Sequence, residues 1–214
     1  MTIKGIIFDF DGTLIDSMKV WDPISDIYLK RKGIQNPPKL KERLKLATIG
    51  QTAEYFKEKY NFEDDVKTIT ADIYKIFEHE YINGARLKES VNEMLSAFSK
   101  ENVRMCIATT ADRHLAEEVL QRLNIHHFFS DIITSGEVGS SKDRPEIFET
   151  ALEKIGTAKD NTLIIDDSLY AIQTAKKAGF KVVAVHDENS EKDTPQIKEL
   201  ADIYLKSFKE EIKL

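Results

Sequence analysis

Residues 3–13, with the sequence IKGIIFDFDGT, join an apolar run directly to two carboxylates. A short, continuously apolar run rich in Ile is typical of a parallel strand that is buried on both faces. Four more runs of this kind follow at residues 103–108, 132–134, 162–165 and 181–185. Apolar residues at helical spacing separate them, so the sequence predicts an α/β fold with a doubly wound, Rossmann-like parallel sheet.

The composition is that of a folded, acidic protein. The 214 residues include 31 Lys and Arg against 37 Asp and Glu, which gives a formal net charge of −6. A nucleic-acid partner would require a basic surface, so the acidity argues against one. No apolar run approaches the roughly 20 residues that span a bilayer, and the N-terminus does not resemble a signal peptide. We therefore expect a cytoplasmic protein with no membrane partner, a monomer by default, in which the single cysteine, Cys106, is a buried apolar residue.

Residues 17–81 interrupt the alternation of strands and helices, since they contain no strand-like run. Their apolar spacing predicts helices only, including a short one over residues 40–47. We therefore expect an α/β core made of residues 1–16 and 82–214, with an all-α domain of residues 17–81 inserted into it. A short helix is also predicted for the tail, residues 206–214.

Acidic pairs follow two of the predicted strands. Asp9 and Asp11 end the first strand, and Asp166 and Asp167 end the fourth. Ligands of doubly wound sheets bind beyond the carboxyl ends of the strands, where these side chains would meet. Carboxylates brought together repel one another unless a cation lies between them, and oxygen ligands of this kind suit Mg²⁺. The alternative for Asp11-Gly12 alone is an ordinary turn, but the second acidic pair favours a metal site.

Two hydroxyls and a lysine follow the strands that lie between these acidic pairs. Thr109 and Thr110 end the second strand, and Lys142 follows the third after a loop of small residues, 135–141. Hydroxyls, backbone N–H groups and a lysine are the groups that hold phosphoryl oxygens. Each has a plainer alternative, since Thr110 could cap the next helix and a single lysine is usually solvated. Their positions at strand ends favour a phosphate site.

Together these residues resemble the four motifs of the haloacid dehalogenase superfamily of phosphotransferases, and the resemblance covers nearly the whole chain. The matching residues are Asp9-x-Asp11-Gly12-Thr13, Thr109, Lys142-x-x-Pro145 and Asp166-Asp167-Ser168. The inserted helical domain resembles the α-helical cap of the subgroup that includes β-phosphoglucomutase and phosphoglycolate phosphatase. The resemblance implies a Mg²⁺-dependent phosphatase that acts on a small phosphorylated metabolite.

The resemblance also assigns roles to these residues. Asp9 would be the nucleophile that becomes an aspartyl phosphate, and Asp11 would be the general acid and then the general base. Thr109 and Lys142 would hold the phosphate. Mg²⁺ would be bound by the Asp9 side chain, the Asp11 backbone carbonyl and Asp167, with Asp166 bound directly or through water.

Three residues depart from the family's pattern. The fourth motif begins with Asp166 where this subgroup often has Glu, a shortening that could replace direct metal binding with a water-bridged contact. In the inserted domain, Gln51 stands where the family frequently has the Arg of Gly-Arg-Thr, which argues against a bisphosphate substrate. Trp21 stands where the mutases would have a histidine. The residues of the inserted domain expected to face the substrate are Trp21, Thr48, Gln51 and Thr52.

Three other functions are open alternatives. A sugar-phosphate mutase of the β-phosphoglucomutase type would form the same phosphoenzyme, and its products would distinguish it from a phosphatase. A regulatory module that keeps the fold without catalysis is disfavoured by the intact Asp9 and Asp11. Dehalogenase chemistry needs no metal and would leave the second acidic pair unexplained. The sequence does not identify the substrate.

Overall fold

The computed structural model describes residues 2–21, 23–35, 37, 40, 44 and 47–212. The chain divides into two compact units. Unit 1 consists of Met1–Asp16 and Arg86–Leu214, and unit 2 of Ser17–Ala85. The division falls a few residues later than the expected end of the inserted domain, because the last helix of unit 2 continues to Gly84.

Unit 1 contains all the strands found in the described part of the chain. They are β1 (Gly5–Phe8), β2 (Ile15–Asp16), β3 (Arg86–Leu87), β4 (Arg104–Thr109), β5 (Ile132–Thr134), β6 (Thr162–Asp166), β7 (Lys181–Val185) and β8 (Ile203–Leu205). β1 is entirely buried, as expected for an apolar run in a sheet covered on both faces.

Six strands form one parallel sheet in the order β5-β4-β1-β6-β7-β8. In the centre, Ile7 of β1 pairs with Cys106 of β4 on one side and with Ile164 of β6 on the other. The chain fills the β4 side of β1 first and then returns to fill the β6 side. This reversal beside β1 is a topological switch point, where doubly wound sheets leave a crevice at the carboxyl ends of their strands.

Helices of unit 1 pack against the sheet and confirm the predicted α/β fold. Among the described residues, unit 2 contains α1 (Ile24–Arg31), α2 (Ile49–Tyr60) and α3 (Val66–Gly84), and unit 1 contains α4 (Val91–Lys100), α5 (Arg113–Arg122), α6 (Ser135–Val138), α7 (Glu146–Ile155), α8 (Leu169–Lys177) and α9 (Thr194–Leu200). α7 buries Ile147, Phe148, Ala151 and Ile155 in a core that also includes Ile7 and Ile164. Burial of each Ile or Phe side chain of this kind stabilises the fold by about 1.5–3 kcal/mol, so this core holds α7 against the central strands.

The structure corrects the sequence prediction at several short segments. β8 and the antiparallel β2–β3 pair were not predicted, since β2 and β3 have two residues each and β8 is a short edge strand in which only Leu205 is buried. The loop expected over residues 135–141 begins with the helical turn α6. This turn forms because the Thr134 hydroxyl accepts a hydrogen bond from the Glu137 N–H at 3.3 Å, while the Glu137 carboxylate accepts one from the Thr134 N–H.

The prediction for the C-terminal tail was wrong where it can be checked. Residues 206–212 form bends and turns rather than a helix. Most of the helix predicted over residues 40–47 lies outside the described residues.

Unit 2 is built from helices, with no strand among its described residues. Its core combines aliphatic side chains with aromatic ones, and the Tyr28 ring stacks on the Phe56 ring with centroids 5.5 Å apart. Helix α2 begins with a capping box, in which the Gln51 N–H donates to the Thr48 hydroxyl at 3.2 Å and the Thr48 N–H donates to the Gln51 side chain at 2.9 Å. Across the described segments of both units, no helix is both long and apolar enough to cross a bilayer.

Cys106 lies in the middle of β4 with no exposed surface. Burial raises the pKa of its thiol to about 12, and the reactive thiolate is therefore scarce at neutral pH.

We expect the Cys106 thiol of the native protein not to react with Ellman's reagent at pH 8, and to react fully once the protein is unfolded in guanidinium chloride. Absorbance of the released thiolate measures both states. Rapid stoichiometric labelling of the native protein would contradict the burial of this residue.

Candidate active site

Three carboxylates meet at the switch point of the sheet. Asp9 follows β1, Asp166 is the last residue of the neighbouring strand β6, and Asp167 comes directly after it. The Asp9 N–H donates to the Ile165 carbonyl at 2.8 Å. Oxygens of all three carboxylates lie within 4.8 Å of one another. Each residue is less than a tenth exposed. The two acidic pairs of the sequence thus supply one cluster, and the Asp11 carboxylate lies outside it.

Lys142 lies between two of these carboxylates. Its ammonium donates to Oδ1 of Asp9 and, at 2.9 Å, to Oδ2 of Asp166, and its side chain is only 2% exposed. The lysine reaches the cluster from the turn before α7, whose N-cap residue is Pro145. A buried ammonium is unfavourable unless it is paired, and these two carboxylates provide the pairing.

The charges of the cluster do not balance, since three carboxylates face one ammonium. Burial raises the pKa of Asp9 well above its usual value; Lys142 opposes this, while Asp166 and Asp167 add to it. Burial, with the charges of Asp166 and Asp187, also raises the pKa of Asp167 to about 6. Burial alone would lower the pKa of Lys142, but the carboxylates of Asp166 and Asp9 raise it above its usual value, so the ammonium persists.

The donor set fits a divalent cation. If all three carboxylates are ionised, the cluster has two negative charges in excess of Lys142, and buried like charges of this kind are stabilised by a cation between them. The ligand atoms are oxygens only, which suits Mg²⁺ rather than zinc or copper. Asp9, Asp166 and Asp167 are the residues that would hold it.

Neighbouring hydroxyls orient the two carboxylates that end β6. Ser168 donates to Oδ1 of Asp166 from its N–H at 2.9 Å and from its hydroxyl at 2.7 Å. Since Lys142 occupies Oδ2, both oxygens of Asp166 have protein donors. Asp167 accepts from the Thr13 hydroxyl at 3.2 Å on Oδ1 and from the Ser190 hydroxyl at 3.1 Å on Oδ2.

Gly12 allows the turn after β1 to approach Asp167. Its φ is +83°, in the left-handed region that favours glycine. A Cβ at this position would lie 2.8 Å from the carboxyl carbon and both oxygens of Asp167. The Asp11-Gly12 dipeptide therefore forms a turn, and the Gly12 backbone also packs against the Asp167 carboxylate.

The two threonines predicted to bind phosphate differ in environment. Thr109 ends β4, next to β1, and is buried; its hydroxyl accepts a hydrogen bond from the Ala111 N–H at 3.0 Å. Thr110 is exposed. Its structural alternative, capping the next helix, is wrong, because Asp112 is the N-cap residue of α5.

The four substrate-facing candidates of unit 2 lie on or next to its helices. Trp21 is 44% exposed and stacks on Phe77 with ring centroids 4.4 Å apart. Thr48 and Gln51 form the capping box of α2, and Thr52 is buried in the first turn of that helix. The structure thus gives Thr48 and Gln51 a local role, and the contact of all four with a substrate stays a prediction.

Ser190 and Asp187 were missed by the sequence analysis. Both lie in the polar segment that follows β7, where the surrounding residues form no recognisable motif. The available signal was their position, because this segment also follows the carboxyl end of a strand.

Comparison with known proteins identifies the family of this chain. The family model for the haloacid dehalogenase-like hydrolases matches residues 6–185. A protein of Bacillus cereus (strain G9842) named pyrophosphatase PpaX is 27% identical over 186 residues, which cover 86% of this chain and 84% of that protein. A protein of Thermotoga maritima named phosphorylated carbohydrates phosphatase is 23% identical over 194 residues, or 89% of each chain.

A solved structure from Thermotoga maritima, described provisionally as a beta-phosphoglucomutase, has the same fold. It superposes with a TM-score of 0.84 at 20% identity and covers 96% of this chain and 94% of its own. The match to the family model includes the strands and loops that position Asp9, Lys142 and Asp166. The chain therefore belongs to the haloacid dehalogenase-like hydrolases.

Proposed function

We propose that this hydrolase is a Mg²⁺-dependent phosphatase that removes the phosphoryl group of a small phosphorylated metabolite through an aspartyl phosphate on Asp9. The observation that supports this most directly is the buried Lys142 ammonium between Asp9 and Asp166, with Asp167 completing the cluster. A carboxylate that attacks an anionic phosphate needs its repulsion neutralised, and this cluster has the residues to do so.

Mg²⁺, when bound, would neutralise phosphoryl oxygens and polarise the phosphorus centre. The side chains of Asp9 and Asp167 and the backbone carbonyl of Asp11 are the direct protein ligands in this proposal. Both oxygens of Asp166 are already engaged by Lys142 and Ser168, which favours a contact of Asp166 with the ion through water.

Lys142 has two tasks in the first step. Its charge opposes the effect of burial on the pKa of Asp9, which keeps a fraction of this carboxylate ionised for attack. It contacts Oδ1 of Asp9, so we assign the attack on phosphorus to Oδ2. Lys142 and the hydroxyls of Thr109 and Thr110 then hold the phosphoryl oxygens.

Asp11 transfers protons in both steps. As the Asp9 oxygen bonds to phosphorus, the bond from phosphorus to the leaving oxygen breaks, and Asp11 donates a proton to that oxygen. In the second step a water oxygen bonds to phosphorus while Asp11 takes its proton. The bond between phosphorus and Asp9 then breaks, and inorganic phosphate and the free carboxylate are released.

The substrate class follows from the relatives and from unit 2. The names of the relatives point to pyrophosphate and to phosphorylated carbohydrates. Gln51 is a neutral residue where an Arg would grip a second anionic group, and its side chain is engaged in the helix cap. We therefore favour a phosphomonoester with one anionic group, such as a sugar phosphate.

The test is release of inorganic phosphate from a panel of sugar phosphates, short phosphorylated acids and pyrophosphate, with Mg²⁺ and with EDTA. Release with Mg²⁺ and none with EDTA supports the proposal. Isomerisation of β-glucose 1-phosphate faster than its hydrolysis would instead indicate a mutase. No phosphate release from any compound under either condition contradicts a phosphatase.

We expect Asp9→Asn to lower phosphate release by ~10³-fold or more, because an amide cannot act as the nucleophile. Asp160→Asn, at an exposed aspartate outside the cluster, is the matched control and should keep wild-type activity. An Asp9→Asn protein that retains most of its Mg²⁺-dependent activity rules out Asp9 as the nucleophile.

We expect Gly12→Ala to weaken Mg²⁺ binding by about tenfold or more, because its Cβ would displace the Asp167 carboxylate. Gly179→Ala is the control. Gly179 also has a positive φ, +84°, but a Cβ there would meet no atom within 4 Å, so this variant has the backbone strain without the contact. Isothermal titration calorimetry measures both. Equal Mg²⁺ affinities in the two variants would show that the contact with Asp167 is unimportant.

The raised pKa of Asp167 predicts a pH dependence of stability in the metal-free protein. The folded state binds a proton at Asp167 up to about pH 6, whereas the usual pKa is 3.8. The contribution of Asp167 to the free energy of unfolding therefore falls as pH rises from about 4 to about 6, and is constant above that. Urea unfolding in EDTA gives the free energy of unfolding of wild type and of Asp167→Asn, and the wild-type value minus the variant value should fall over this pH range. A difference that stays flat or rises would contradict the raised pKa.

A further inference from the structure

Lys88 joins two segments at the carboxyl edge of the sheet. It follows β3, and its ammonium donates to the Gly12 carbonyl at 2.5 Å, the His186 carbonyl at 2.7 Å and Oδ2 of Asp187 at 2.9 Å. Its backbone N–H also donates to the Leu14 carbonyl at 3.0 Å. One residue thus holds the turn after β1 and the segment after β7 together.

Both of these segments contact Asp167. The Gly12 backbone packs against its carboxylate, and the adjacent Thr13 hydroxyl donates to Oδ1. From the other segment, the Ser190 hydroxyl donates to Oδ2. That segment is itself ordered by Asp187, whose Oδ1 accepts from the N–H and the side-chain amide of Asn189 at 3.0 and 2.6 Å.

We propose that Lys88 is a positioning residue for Asp167 as a Mg²⁺ ligand. Its three acceptors lie outside the carboxylate cluster, so it acts through the two segments rather than on the ion or the substrate. The Lys88 side chain is 20% exposed and that of Asp187 10%, so these bonds are sheltered from solvent and are stronger than those of a surface pair. This proposal rests on the proposed function, because it assigns Asp167 to the metal.

A positioning role and a purely electrostatic role predict different effects on Mg²⁺ binding. Removing a positive charge near a cation site strengthens binding of the cation, and removing it together with a neighbouring negative charge leaves binding nearly unchanged. Removing a residue that orients a metal ligand weakens binding of the cation, typically by about 10–100-fold.

The experiment uses Lys88→Met/Asp187→Asn, which removes both charges together and so leaves neither buried charge unpaired. The control is Glu89→Gln/Lys209→Met, which removes a neighbouring pair 2.6 Å apart whose side chains are both 62% exposed. Two quantities are measured on the full chain: the dissociation constant of Mg²⁺ by calorimetry, and hydrogen exchange of the Gly12 and Leu14 amides. These amides donate within the turn to the Ile15 and Phe10 carbonyls, each at 2.9 Å.

We expect amide exchange in the turn at least about tenfold faster and a Mg²⁺ dissociation constant at least about tenfold larger, with the control at wild-type values. Unchanged or tighter Mg²⁺ binding overturns the proposal, even where exchange is faster. If the double variant does not fold, Lys88→Arg is tested in its place. Arginine keeps the positive charge but presents a planar guanidinium where lysine has a single ammonium nitrogen. It should weaken Mg²⁺ binding by a smaller factor, and wild-type binding there overturns the proposal.

Failure of the proposed function is distinguishable from failure of this inference. A wild-type protein that binds no Mg²⁺ contradicts the metal site itself, and with it the role of Lys88 toward a metal. A wild-type protein that binds Mg²⁺, together with a double variant that binds it equally well, contradicts only the role of Lys88.

Discussion

The buried contact of Lys142 with Asp9 and Asp166 is the interaction on which the rest of the site depends. It joins the ends of two central strands, β1 and β6, to a turn that is distant in sequence. A single ammonium compensates for part of the charge of three buried carboxylates and leaves an excess of negative charge. Burial and the neighbouring carboxylates together raise the pKa of Asp9 and Asp167, and a divalent cation would balance the excess charge.

Around this contact, the protein orients each carboxylate with a different neighbour. Ser168 holds Asp166, while Thr13 and Ser190 hold Asp167 from opposite segments. Gly12 lets the turn after β1 come close enough to take part. The sheet thus supplies the approximate placement through its topology, and short polar contacts from the following loops set the final geometry. Loss of such contacts behind metal ligands commonly lowers metal affinity by about 10–100-fold.

Much of the fold and part of the site could be predicted from local patterns. The apolar runs predicted five of the six strands of the parallel sheet, and the rule that ligands bind at strand carboxyl ends predicted that Asp9 and Asp166 would meet. The contacts of Lys88 could not be predicted in this way, because its partners Gly12 and Asp187 are 76 and 99 positions away in the sequence. By contrast, Thr48-x-x-Gln51 is a local capping-box pattern. The sequence therefore predicts its role in starting a helix more directly than any contact with a substrate.

The central claim is that Asp9 becomes phosphorylated during turnover, and trapping the intermediate tests it most directly. The enzyme is mixed with Mg²⁺ and a phosphorylated substrate, quenched within one turnover and reduced with borohydride, which converts an aspartyl phosphate to homoserine. Mass spectrometry of the peptide that contains residues 5–16 then shows the modified position. We expect homoserine at position 9 only when both substrate and Mg²⁺ are present. Unmodified Asp9 in a protein that turns over the same substrate, or modification at another carboxylate, would contradict it.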